Sequence, residues 1–431
     1  MSLDQAASRA AQLIRSHPSG TRWFLDCDTD ADGLTAAVVM ARALGRIGHR
    51  FQVRASREKD TAAYEALAQQ ECEGFILLDK GTSHVATLAS FDRPVVVVDH
   101  HNVPDVDAGD VVLVNPRLEG MDGSRDASAA TTAVAVALAL DDGNLDLAPI
   151  GLSGAVGDWQ HHGGWQGWNR DLVDRCLAAG HLDRRVMPAL IGVDLGEALG
   201  RLGLGALVDE LGLDARLDAE DLDVEAATQL VSAWTLHDLE QGIERTRVQE
   251  ILWNVKLGLG VRHAFRIVDA CGRLGRADTG IAFLMGSASA RDAAREVFAD
   301  YKNRLGQALA LLKEGTSSME ALQWAAIGEP ALTGMVAGLG VVHFLQDTAK
   351  PLVVVAPRDD GQLQVSTRGD HGHVASGLDL GAAIQEAAAG VGAEGGGHPI
   401  ASGAVIDPDQ RDAFLQALDA ALKRQGFLDG P

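Results

Sequence analysis

The first third of the chain alternates short apolar runs with longer amphipathic segments. Between Arg22 and about Asp158, the apolar runs predict buried strands at Trp23–Leu25, Gln52–Arg54, Gly74–Leu78, Pro94–Val98 and Val111–Val114. Helical spacing predicts helices at Met1–Ile14, Leu34–Ile47, Thr61–Glu71, Ala127–Ala139 and Ile150–Val156. This alternation is typical of parallel βαβ units, whose functional side chains collect at the carboxyl ends of the strands. We therefore predict an α/β domain with a parallel sheet.

The pattern changes twice further along the chain. From about Trp159 to Pro330 it is mainly helical, with an acidic stretch at Asp209–Glu225 and an amphipathic helix at Arg291–Glu314. After Ala331 we predict paired strands at Leu352–Ala356 and Leu363–Ser366, helices at Leu378–Ala389 and Asp409–Arg424, and a glycine-rich turn running into a strand at Glu394–Ile406. The predicted domains are 1–160, a mainly helical insert at 161–330 and a small α/β domain at 331–431. Linkers are predicted at Gly157–Gly167 and Gly315–Ala331.

Composition narrows the class of protein. The 431 residues are 46% hydrophobic and carry a formal charge of −23, which argues against a broad basic surface that coats DNA. A local arginine-lined groove or bound metals can still reverse the potential where a ligand binds. Four scattered cysteines, without a C-x-x-C pair, predict reduced thiols and a cytoplasmic location. No signal-peptide core or membrane-spanning apolar run is present, so we expect no membrane partner.

The segment Asp26–Gly33, D-C-D-T-D-A-D-G, is the densest candidate for chemistry. It directly follows the apolar run Trp23–Leu25, and an extended strand would point its alternate carboxylates to one edge. Like charges at this spacing repel unless a cation lies among them, and hard divalent cations with oxygen ligands are the usual partners. An EF-hand is excluded because no Glu stands at the twelfth loop position, and a solvated acidic turn is the alternative.

Three further apolar segments end in an acidic or imidazole side chain. Asp79 follows one run, Asp99-His100-His101 follows a second, and Asp158 ends a third. A single Asp at such a place is more often a helix cap than a ligand, but the combined set is hard to explain as caps. Such a set suits two metals that share a carboxylate and clamp the oxygens of a phosphoryl displacement. Mixed carboxylate and imidazole ligands favour Mn²⁺, Fe²⁺ or Co²⁺ over Ca²⁺.

The order and spacing of these motifs resemble the DHH phosphoesterase family. The four motifs are D-x-D-x-D-G, the strand-end Asp79, D-H-H at residues 99–101 and G-D at residues 157–158. Gly395 to Ala404, G-G-G-H-P-I-A-S-G-A, resembles the signature of the first type of DHH-associated domain. The implied fold is α/β: a parallel-sheet DHH catalytic domain, a helical insert, and a small nucleic-acid-binding α/β domain with the GGGH motif.

Carried over by motif, the resemblance implies which residues act. The implied metal ligands are Asp30, Asp32, Asp79, His100 and Asp158, with Asp79 bridging two ions. His101 would contact the scissile phosphate or support the site. Many family members have a His two or four residues before the position of Asp30, where this chain has Asp28 and Asp26, so either can complete the first metal site. The implied phosphate-binding residues are Ser366, Arg368, Gly395, Gly396, Gly397 and His398.

The resemblance also implies an activity and partners. It implies a metal-dependent phosphodiesterase acting as a RecJ-like exonuclease on single-stranded DNA or RNA, with two Mn²⁺ ions, or Mg²⁺ or Co²⁺, activating the attacking water. Ala270–Gly275, A-C-G-R-L-G, resembles a stretch of archaeal RecJ-like proteins, a group that includes the GINS-associated nuclease. DNA repair or replication is the implied setting, and the insert is a candidate dock for a GINS-like replisome partner. The alternatives are a phosphodiesterase for oligonucleotides or cyclic dinucleotides, and a replisome scaffold with little catalysis.

Two features stay open between a functional and a structural role. Asn115-Pro116-Arg117 resembles the family's turn beside the active site, and a plain turn is an equal alternative. Trp159, Trp165 and Trp168 flank a His161-His162 loop. Exposed aromatics stack on bases, although we expect core packing here and assign neither histidine to metal.

Overall fold

The computed structural model describes residues 3–58, 60–190, 192, 194–345 and 349–429. The chain divides into two compact units, residues 1–299 and 300–431. Met1 and Ser2 of the predicted first helix lie outside the described residues. The predicted division at residues 160 and 330 stays a prediction.

The first unit contains a five-stranded parallel sheet in the order β2-β1-β3-β4-β5. Its strands are β1 (Arg22–Cys27), β2 (Arg50–Ala55), β3 (Gly74–Leu78), β4 (Val95–Val98) and β5 (Val112–Val114). The helices of this part are α1 (Leu3–Arg15), α2 (Ala31–Arg46), α3 (Thr61–Leu67), α4 (Val85–Leu88), α5 (Ala129–Leu140) and α6 (Ala148–Gly157). Each strand overlaps a predicted one. The central strands β1, β3 and β4 are buried, nearly continuous apolar runs, as expected for parallel strands covered on both faces, whereas the edge strand β2 is exposed to half-buried.

The strand order places a crevice at the carboxyl ends of β1 and β3. The chain runs from β1 to β2 on one side, whereas β3 pairs with the other side of β1. Crossover connections on the two sides diverge, and ligands of open α/β sheets bind where they do so. The acidic segment that follows β1, Asp79 after β3 and the D-H-H motif after β4 therefore lie at this crevice.

The remainder of the first unit contains the helices that the sequence predicted for this region and, in addition, a small sheet that it did not predict. Its helices are α7 (Gly167–Ala178), α8 (Leu195–Arg201), α9 (Ala206–Glu210), α10 (Val224–Gln241), α11 (Val261–Arg273) and α12 (Ala277–Leu284). A further helix, α13 (Ala288–Glu314), begins in the first unit and ends in the second. An antiparallel sheet is formed by β6 (Leu182–Pro188), β7 (Val248–Asn254) and β8 (Leu259–Gly260). Strand β6 was not predicted because its centre, Asp183-Arg184-Arg185, is charged and contains no apolar run. Helix α11 contacts both α2 and α6.

The second unit is built on a six-stranded sheet in the order β13-β14-β12-β11-β10-β9. The strands are β9 (Ser317–Ser318), β10 (Gln323–Ala326), β11 (Leu352–Pro357), β12 (Leu363–Arg368), β13 (Glu394–His398) and β14 (Ala401–Ile406). Its further helices are α14 (Thr333–Leu339), α15 (His371–Ala375), α16 (Leu380–Gly390) and α17 (Arg411–Gln425). Two expectations were wrong. The predicted linker Gly315–Ala331 contains β9 and β10, and the glycine run is strand β13, since glycine has no side-chain pattern that reveals a strand.

The four cysteines are free thiols, as the sequence predicted. Cys27, Cys72, Cys176 and Cys271 are all buried and none forms a disulfide. Within the part of the chain that the structure describes, no helix combines the length and the apolar character needed to cross a membrane.

Candidate metal centre

The acidic segment is a strand-to-helix turn. Strand β1 ends at Cys27, and Asp30 caps the N-terminus of α2 by accepting a hydrogen bond of 3.0 Å from the N–H of Gly33. The expected alternation of carboxylates along one strand was therefore wrong beyond Cys27. Gly33 permits the turn, because a Cβ atom there would lie 2.6 Å from the carbonyl oxygen of Asp28. The turn, rather than strand alternation, brings the carboxylates of Asp28 and Asp30 together.

Asp26 lies outside the candidate metal cluster. Its carboxylate pairs with Nζ of Lys80 at 2.6 Å and with Nε of Arg54 at 2.7 Å. The Asp26 and Lys80 side chains are both buried, so each charge has its counter-charge inside the protein. In contrast, oxygen atoms of Asp28, Asp30 and Asp79 lie within 4.8 Å of one another. Of the two open candidates for the first metal site, the structure brings Asp28 to the cluster and holds Asp26 apart.

Asp32 is held by the N-terminus of α5. Its oxygens accept hydrogen bonds from the Ser128 hydroxyl at 2.7 Å and from the backbone N–H groups of Ala129 and Ala130 at 2.7 and 3.0 Å. The helix dipole favours an anion at this position. The sequence analysis missed Ser128, although Ser128-x-x-Thr131 before an apolar run is a capping-box pattern.

His100 directs one ring nitrogen toward buried carboxylates. Its Nδ1–H donates to the carbonyl of Gly123 at 2.6 Å, so the lone pair of the neutral ring lies on Nε2. Burial opposes a charge on this ring, but Asp158 and Asp79 raise the pKa of His100 well above its usual value, so a metal bound at Nε2 would displace a proton. Nε2 lies 3.3 Å from Oδ1 of Asp79, 3.2 Å from Oδ2 of Asp158 and 3.9 Å from Oδ2 of Asp32. A backbone acceptor that fixes the tautomer in this way is the usual support of a histidine that binds metal. The predicted ligands Asp32, His100 and Asp158 form one group with ligand atoms within 4.8 Å.

Two buried acceptors show that this donor set fits a cation. Oδ1 of Asp79 and Oδ2 of Asp158 are buried, and apart from Nε2 of His100 they have no donor among the described residues. An acceptor left in this state is costly, and a metal ion coordinated by both oxygens and by the imidazole removes that cost. Imidazole with carboxylates is the ligand chemistry of Mn²⁺ or Fe²⁺ more than of Ca²⁺.

The raised pKa values of the clustered carboxyl groups also indicate a site for a cation. Burial and the neighbouring charges of Asp28 and Asp32 raise the pKa of Asp30 to about 6. Burial and Asp30 raise the pKa of Asp79 well above its usual value, and burial and Asp32 do the same for Asp158. The backbone of Asp79 is also unfavourable, with φ at +60°, a conformation that non-glycine residues adopt mainly where the surroundings enforce it. The site is thus arranged at an energetic cost that a bound cation would offset.

Asp99 orients His101. Oδ1 of Asp99 lies 2.7 Å from Nδ1 of His101 and accepts from the backbone N–H of His100 at 2.8 Å, while Oδ2 accepts from the N–H of Thr82 at 3.1 Å. Burial opposes ionisation of Asp99, but the hydrogen bond from His101 and the histidine charges lower its pKa overall. The sequence analysis gave Asp99 no role, whereas the structure makes it the anchor of the half-exposed His101 imidazole.

The Asn115-Pro116-Arg117 turn supports the D-H-H motif. Nδ2 of Asn115 donates to the carbonyl of His101 at 3.0 Å, and Nε of Arg117 donates to the carbonyl of His100 at 2.8 Å. Gly123 must be glycine, because a Cβ atom would lie 2.3 Å from the His100 carbonyl oxygen. Of the two open interpretations, the structure favours a turn that holds the site over a plain turn.

An arginine-lined cavity of about 480 Å³ adjoins the acidic turn. Its lining includes Thr29, Arg57 and Arg273. Nε of Arg57 donates to the Thr29 hydroxyl at 3.2 Å, and Nη2 of Arg57 donates to the carbonyl of Arg273 at 3.3 Å. Helix α11 packs tightly here, because a Cβ atom on Gly272 would lie 1.8 Å from the Thr29 carbonyl oxygen. Gly272 and Arg273 of the A-C-G-R segment thus form one wall of a cavity beside the acidic turn, whose charged lining residues are Arg57, Arg273 and Glu58.

Models of known protein families match segments near both ends of the chain. Residues 24–153 match the N-terminal domain of the DHH family, and residues 328–424 match the DHHA1 domain. The chain belongs to the DHH phosphoesterase family. Its architecture is RecJ-like, as the resemblance implied.

Three similar proteins illustrate the range of this DHH family. An uncharacterized protein of Methanocaldococcus jannaschii is 24% identical over 418 residues, which are 92% of each chain. RecJ from Thermus thermophilus in complex with Mn²⁺ superposes with a TM-score of 0.61 at 20% identity. The match covers 98% of this chain and 55% of the RecJ chain, so this chain spans about half the length of that RecJ. Cdc45 from Entamoeba histolytica superposes with a TM-score of 0.65 at 11% identity, over 97% of this chain and 99% of that one. At these identities the two structures show the shared fold alone.

The register of the DHHA1 sheet aligns its predicted phosphate-binding residues. His398 pairs with Ala401, which pairs with Arg368 in the next strand. Gly396 and Ser366 occupy the adjacent row, both paired with Gly403. Paired residues share a face, as do residues two apart along a strand, so these four predicted residues lie on one face with only Ala401 and Gly403 between them.

The other two glycines of the GGGH motif serve packing. A Cβ atom on Gly395 would lie 2.8 Å from Cγ2 of Ile384 in α16. Gly397 has φ at +148°, and a Cβ atom there would lie 2.7 Å from the backbone of Ser402. Gly396 is exposed, and a Cβ atom there would meet nothing within 4 Å. The geometry therefore separates Gly396, which is exposed, from Gly395 and Gly397, which let helix α16 and β14 approach. On the face shared with Gly396, the Ser366 hydroxyl lies 2.8 Å from that of Thr333 in α14.

Proposed function

We propose that this protein is a metal-dependent phosphodiesterase that acts as a RecJ-like exonuclease on single-stranded nucleic acid. The observation that carries the proposal is the convergence of Nε2 of His100 with two buried carboxylate oxygens, from Asp79 and Asp158, that have no other donor among the described residues. A scaffold that binds only proteins has no need of such a cluster.

We assign the ligands in two groups that share Asp79. Asp28 and Asp30 lie with it on one side, and His100, Asp158 and Asp32 lie on the other. Divalent cations held there, with Mn²⁺ favoured by the mixed donor set, supply Lewis acidity that activates water and neutralises charge on a phosphodiester. The described side chains contribute position: α5 fixes Asp32, and Gly123 fixes the His100 ring.

We assign substrate contacts to His101 and to the arginine-lined cavity. Because Nδ1–H of His101 donates to Asp99, Nε2 remains, and in the doubly protonated ring its N–H would donate to a phosphate oxygen. Arg57 and Arg273 line the cavity beside the acidic turn, and guanidinium groups bind phosphates through paired hydrogen bonds. In the DHHA1 domain we assign phosphate binding to the face that carries Ser366, Arg368, Gly396 and His398.

A protein partner is a separate part of the proposal. Helix α10, inside the predicted insert, exposes Leu236 and Leu239 with exposed fractions of 63% and 68%. Their i, i+3 spacing puts them on one side of the helix. We propose this side of α10 as the place where a GINS-like replisome partner would bind.

Degradation of end-labelled single-stranded DNA and RNA in Mn²⁺ tests the enzymatic proposal. The variants are Asp79→Asn and His100→Ala, and the matched control is Asp278→Asn, whose carboxylate is 81% exposed. Progressive strand loss with wild type and the control, but not with the two site variants, supports the proposal, and the label position gives the polarity. Cleavage of dinucleotides alone would restrict the substrate to short oligonucleotides. No cleavage of either by a folded, Mn²⁺-binding protein would overturn catalysis and favour the scaffold.

A further inference from the structure

The turn after α6 exposes a tryptophan directly beside the metal centre. Trp159 follows Asp158 and is 58% exposed. Trp168, from the same aromatic-rich segment, is instead half-buried and donates its indole N–H to the carbonyl of Thr131 at 2.9 Å. Core packing, which we expected for these tryptophans, therefore accounts for Trp168 and not for Trp159.

The exposed indole sits on a firmly anchored turn. The next residue, Gln160, is 1% exposed; its Nε2 donates to the carbonyl of Gly123 at 2.9 Å, and its Oε1 accepts from Asn169 at 2.7 Å. The Gly123 carbonyl is also the acceptor that fixes the ring of His100. Adjacent Cα atoms are about 3.8 Å apart, so the backbone of Trp159 lies next to that of Asp158. The Gly123 carbonyl that anchors this turn also anchors the ring of His100.

The conformation of Trp159 is one that a bulky residue rarely adopts. Its φ is +62°, in the left-handed region that favours glycine. The indole ring contacts the His162 ring, with centroids 4.7 Å apart, and more than half of the residue faces solvent. The positive φ ends helix α6, because the N–H groups of Trp159 and Gln160 donate to the carbonyls of Val156 and Ala155 at 3.0 and 3.1 Å, in a position that glycine usually fills. A tryptophan there costs backbone energy that glycine would not and leaves most of a large ring in water, which points to a ligand for the ring.

We propose that Trp159 is the stacking platform for the nucleobase adjoining the phosphodiester that is cleaved, an inference that rests on the proposed function. Aromatic side chains bind every base through its π face, without sequence preference. With a formal charge of −23, the protein as a whole repels phosphates at long range, so stacking supplies affinity that counter-charge does not. The ligand class is a nucleotide that carries a base, rather than a bare sugar-phosphate chain.

Binding of oligonucleotides with and without bases tests this platform. Fluorescence anisotropy gives Kd for a labelled single-stranded oligothymidylate and for an abasic chain with the same number of phosphates, in Ca²⁺ so that the measurement is independent of hydrolysis. We expect wild type to prefer the oligothymidylate, and Trp159→Ala to weaken that binding about 5- to 100-fold, since stacking contributes ~1–3 kcal/mol per base at 1.4 kcal/mol per factor of ten. Binding of the abasic chain should stay unchanged.

Two further variants separate stacking from damage to the fold. Trp159→Tyr should restore the preference for bases. Trp159→Gly relaxes the positive φ, so it should lose the preference while its Tm stays at or above that of wild type. Val186→Ala, which removes another exposed apolar side chain, is the control.

The outcomes distinguish this platform from the proposed enzyme. A Trp159→Ala protein that binds oligothymidylate within twofold of wild type, or wild type without preference for bases, overturns the platform. Base-dependent binding that Trp159→Ala abolishes supports the platform even if no strand is cleaved, in which case catalysis alone fails. A wild-type protein that binds neither oligomer overturns both.

Discussion

Nε2 of His100 lies 3.2 Å from Oδ2 of Asp158, although the first residue follows β4 and the second ends α6. The approach requires that α6 pack closely over α2 and α5. Gly154 makes that possible, because a Cβ atom there would lie 2.6 Å from both Oδ1 of Asp32 and Cβ of Ala130. Helix α6 therefore carries a packing glycine one turn before the ligand candidate at its end.

Asp158→Asn should weaken Mn²⁺ binding and stabilise the metal-free protein. The substitution removes a buried charge from a cluster of carboxylates, so the metal-free Tm should rise or stay level, while Mn²⁺ affinity should fall by at least about 100-fold, more than the loss of a supporting residue costs. Calorimetric titration with Mn²⁺ and thermal melts with and without metal check this. The control is Asp174→Asn on the surface of α7. A parallel fall of Tm and affinity would show that Asp158 is structural.

Asp26→Asn and Asp28→Asn should have opposite consequences. Removing the Asp26 charge leaves Lys80 buried without its carboxylate partner, so the free energy of unfolding should fall by ~3–5 kcal/mol with Mn²⁺ affinity of the folded protein largely kept. Asp28→Asn should cost little stability and weaken Mn²⁺ binding. Urea unfolding and metal titration of both variants measure the contrast. If Asp26→Asn alone lost metal, our placement of Asp28 in the cluster would be wrong.

Mn²⁺ should stabilise the protein more at high than at low pH. The pKa of Asp30 is raised to about 6, and those of Asp79 and Asp158 are raised above their usual value. A folded-state pKa above the unfolded one adds stability at low pH, and this contribution is lost as pH rises through the folded pKa. The metal-free protein should therefore lose stability from about pH 4 to above pH 6, where the deprotonated carboxylates bind metal.

Melting curves at about pH 5 and about pH 8, with Mn²⁺ and with a chelator, measure this linkage. The Mn²⁺-dependent rise in Tm should be larger at the higher pH. Asp79→Asn should remove most of the difference. Equal Mn²⁺ effects at both pH values would mean that these carboxyl groups do not bind the metal.

Gly272→Ala should impair the metal centre from outside the cluster. A methyl group there would lie 1.8 Å from the Thr29 carbonyl oxygen, so α11 or the acidic turn must shift. We expect a loss of stability of ~1–3 kcal/mol, as for overpacked cores, together with weaker Mn²⁺ binding. Gly200→Ala is the matched control, since a Cβ atom there meets nothing within 4 Å and alanine favours the α8 helix. Unchanged Mn²⁺ affinity in Gly272→Ala would separate α11 from the site.

Local sequence patterns correctly predicted the strands that are continuous apolar runs and the positions of the motifs at their ends. Strands such as β3 and β4 are uninterrupted apolar runs, and each motif at their ends stands where a parallel sheet collects functional groups. The sequence did not reveal β6, whose charged centre pairs with β7 more than sixty residues later. Such pairing is a tertiary property, and no local periodicity encodes it.

The carboxylate cluster likewise depends on tertiary contacts that the sequence pattern did not predict. The spacing of the acidic segment showed that carboxylates would gather, but it could not show that Lys80 and Arg54 neutralise Asp26. It likewise gave no sign that Gly123 would fix the His100 ring, because a carbonyl acceptor exists at every residue. Which of several similar acids remains for a metal depends on partners that only the folded chain brings near.

The tight seating of Gly272 against Thr29 limits how the protein can be shortened. Helix α11 begins more than one hundred residues beyond the last metal-ligand candidate, yet it supplies a wall of the cavity beside the carboxylates and contacts α2 and α6. A truncated fragment that stops near residue 160 would leave the acidic turn without this cover and expose the buried face of α2 to water. A minimal fragment that keeps the carboxylate cluster intact should therefore extend at least through Arg273, and trimming elsewhere is the safer route to a smaller protein.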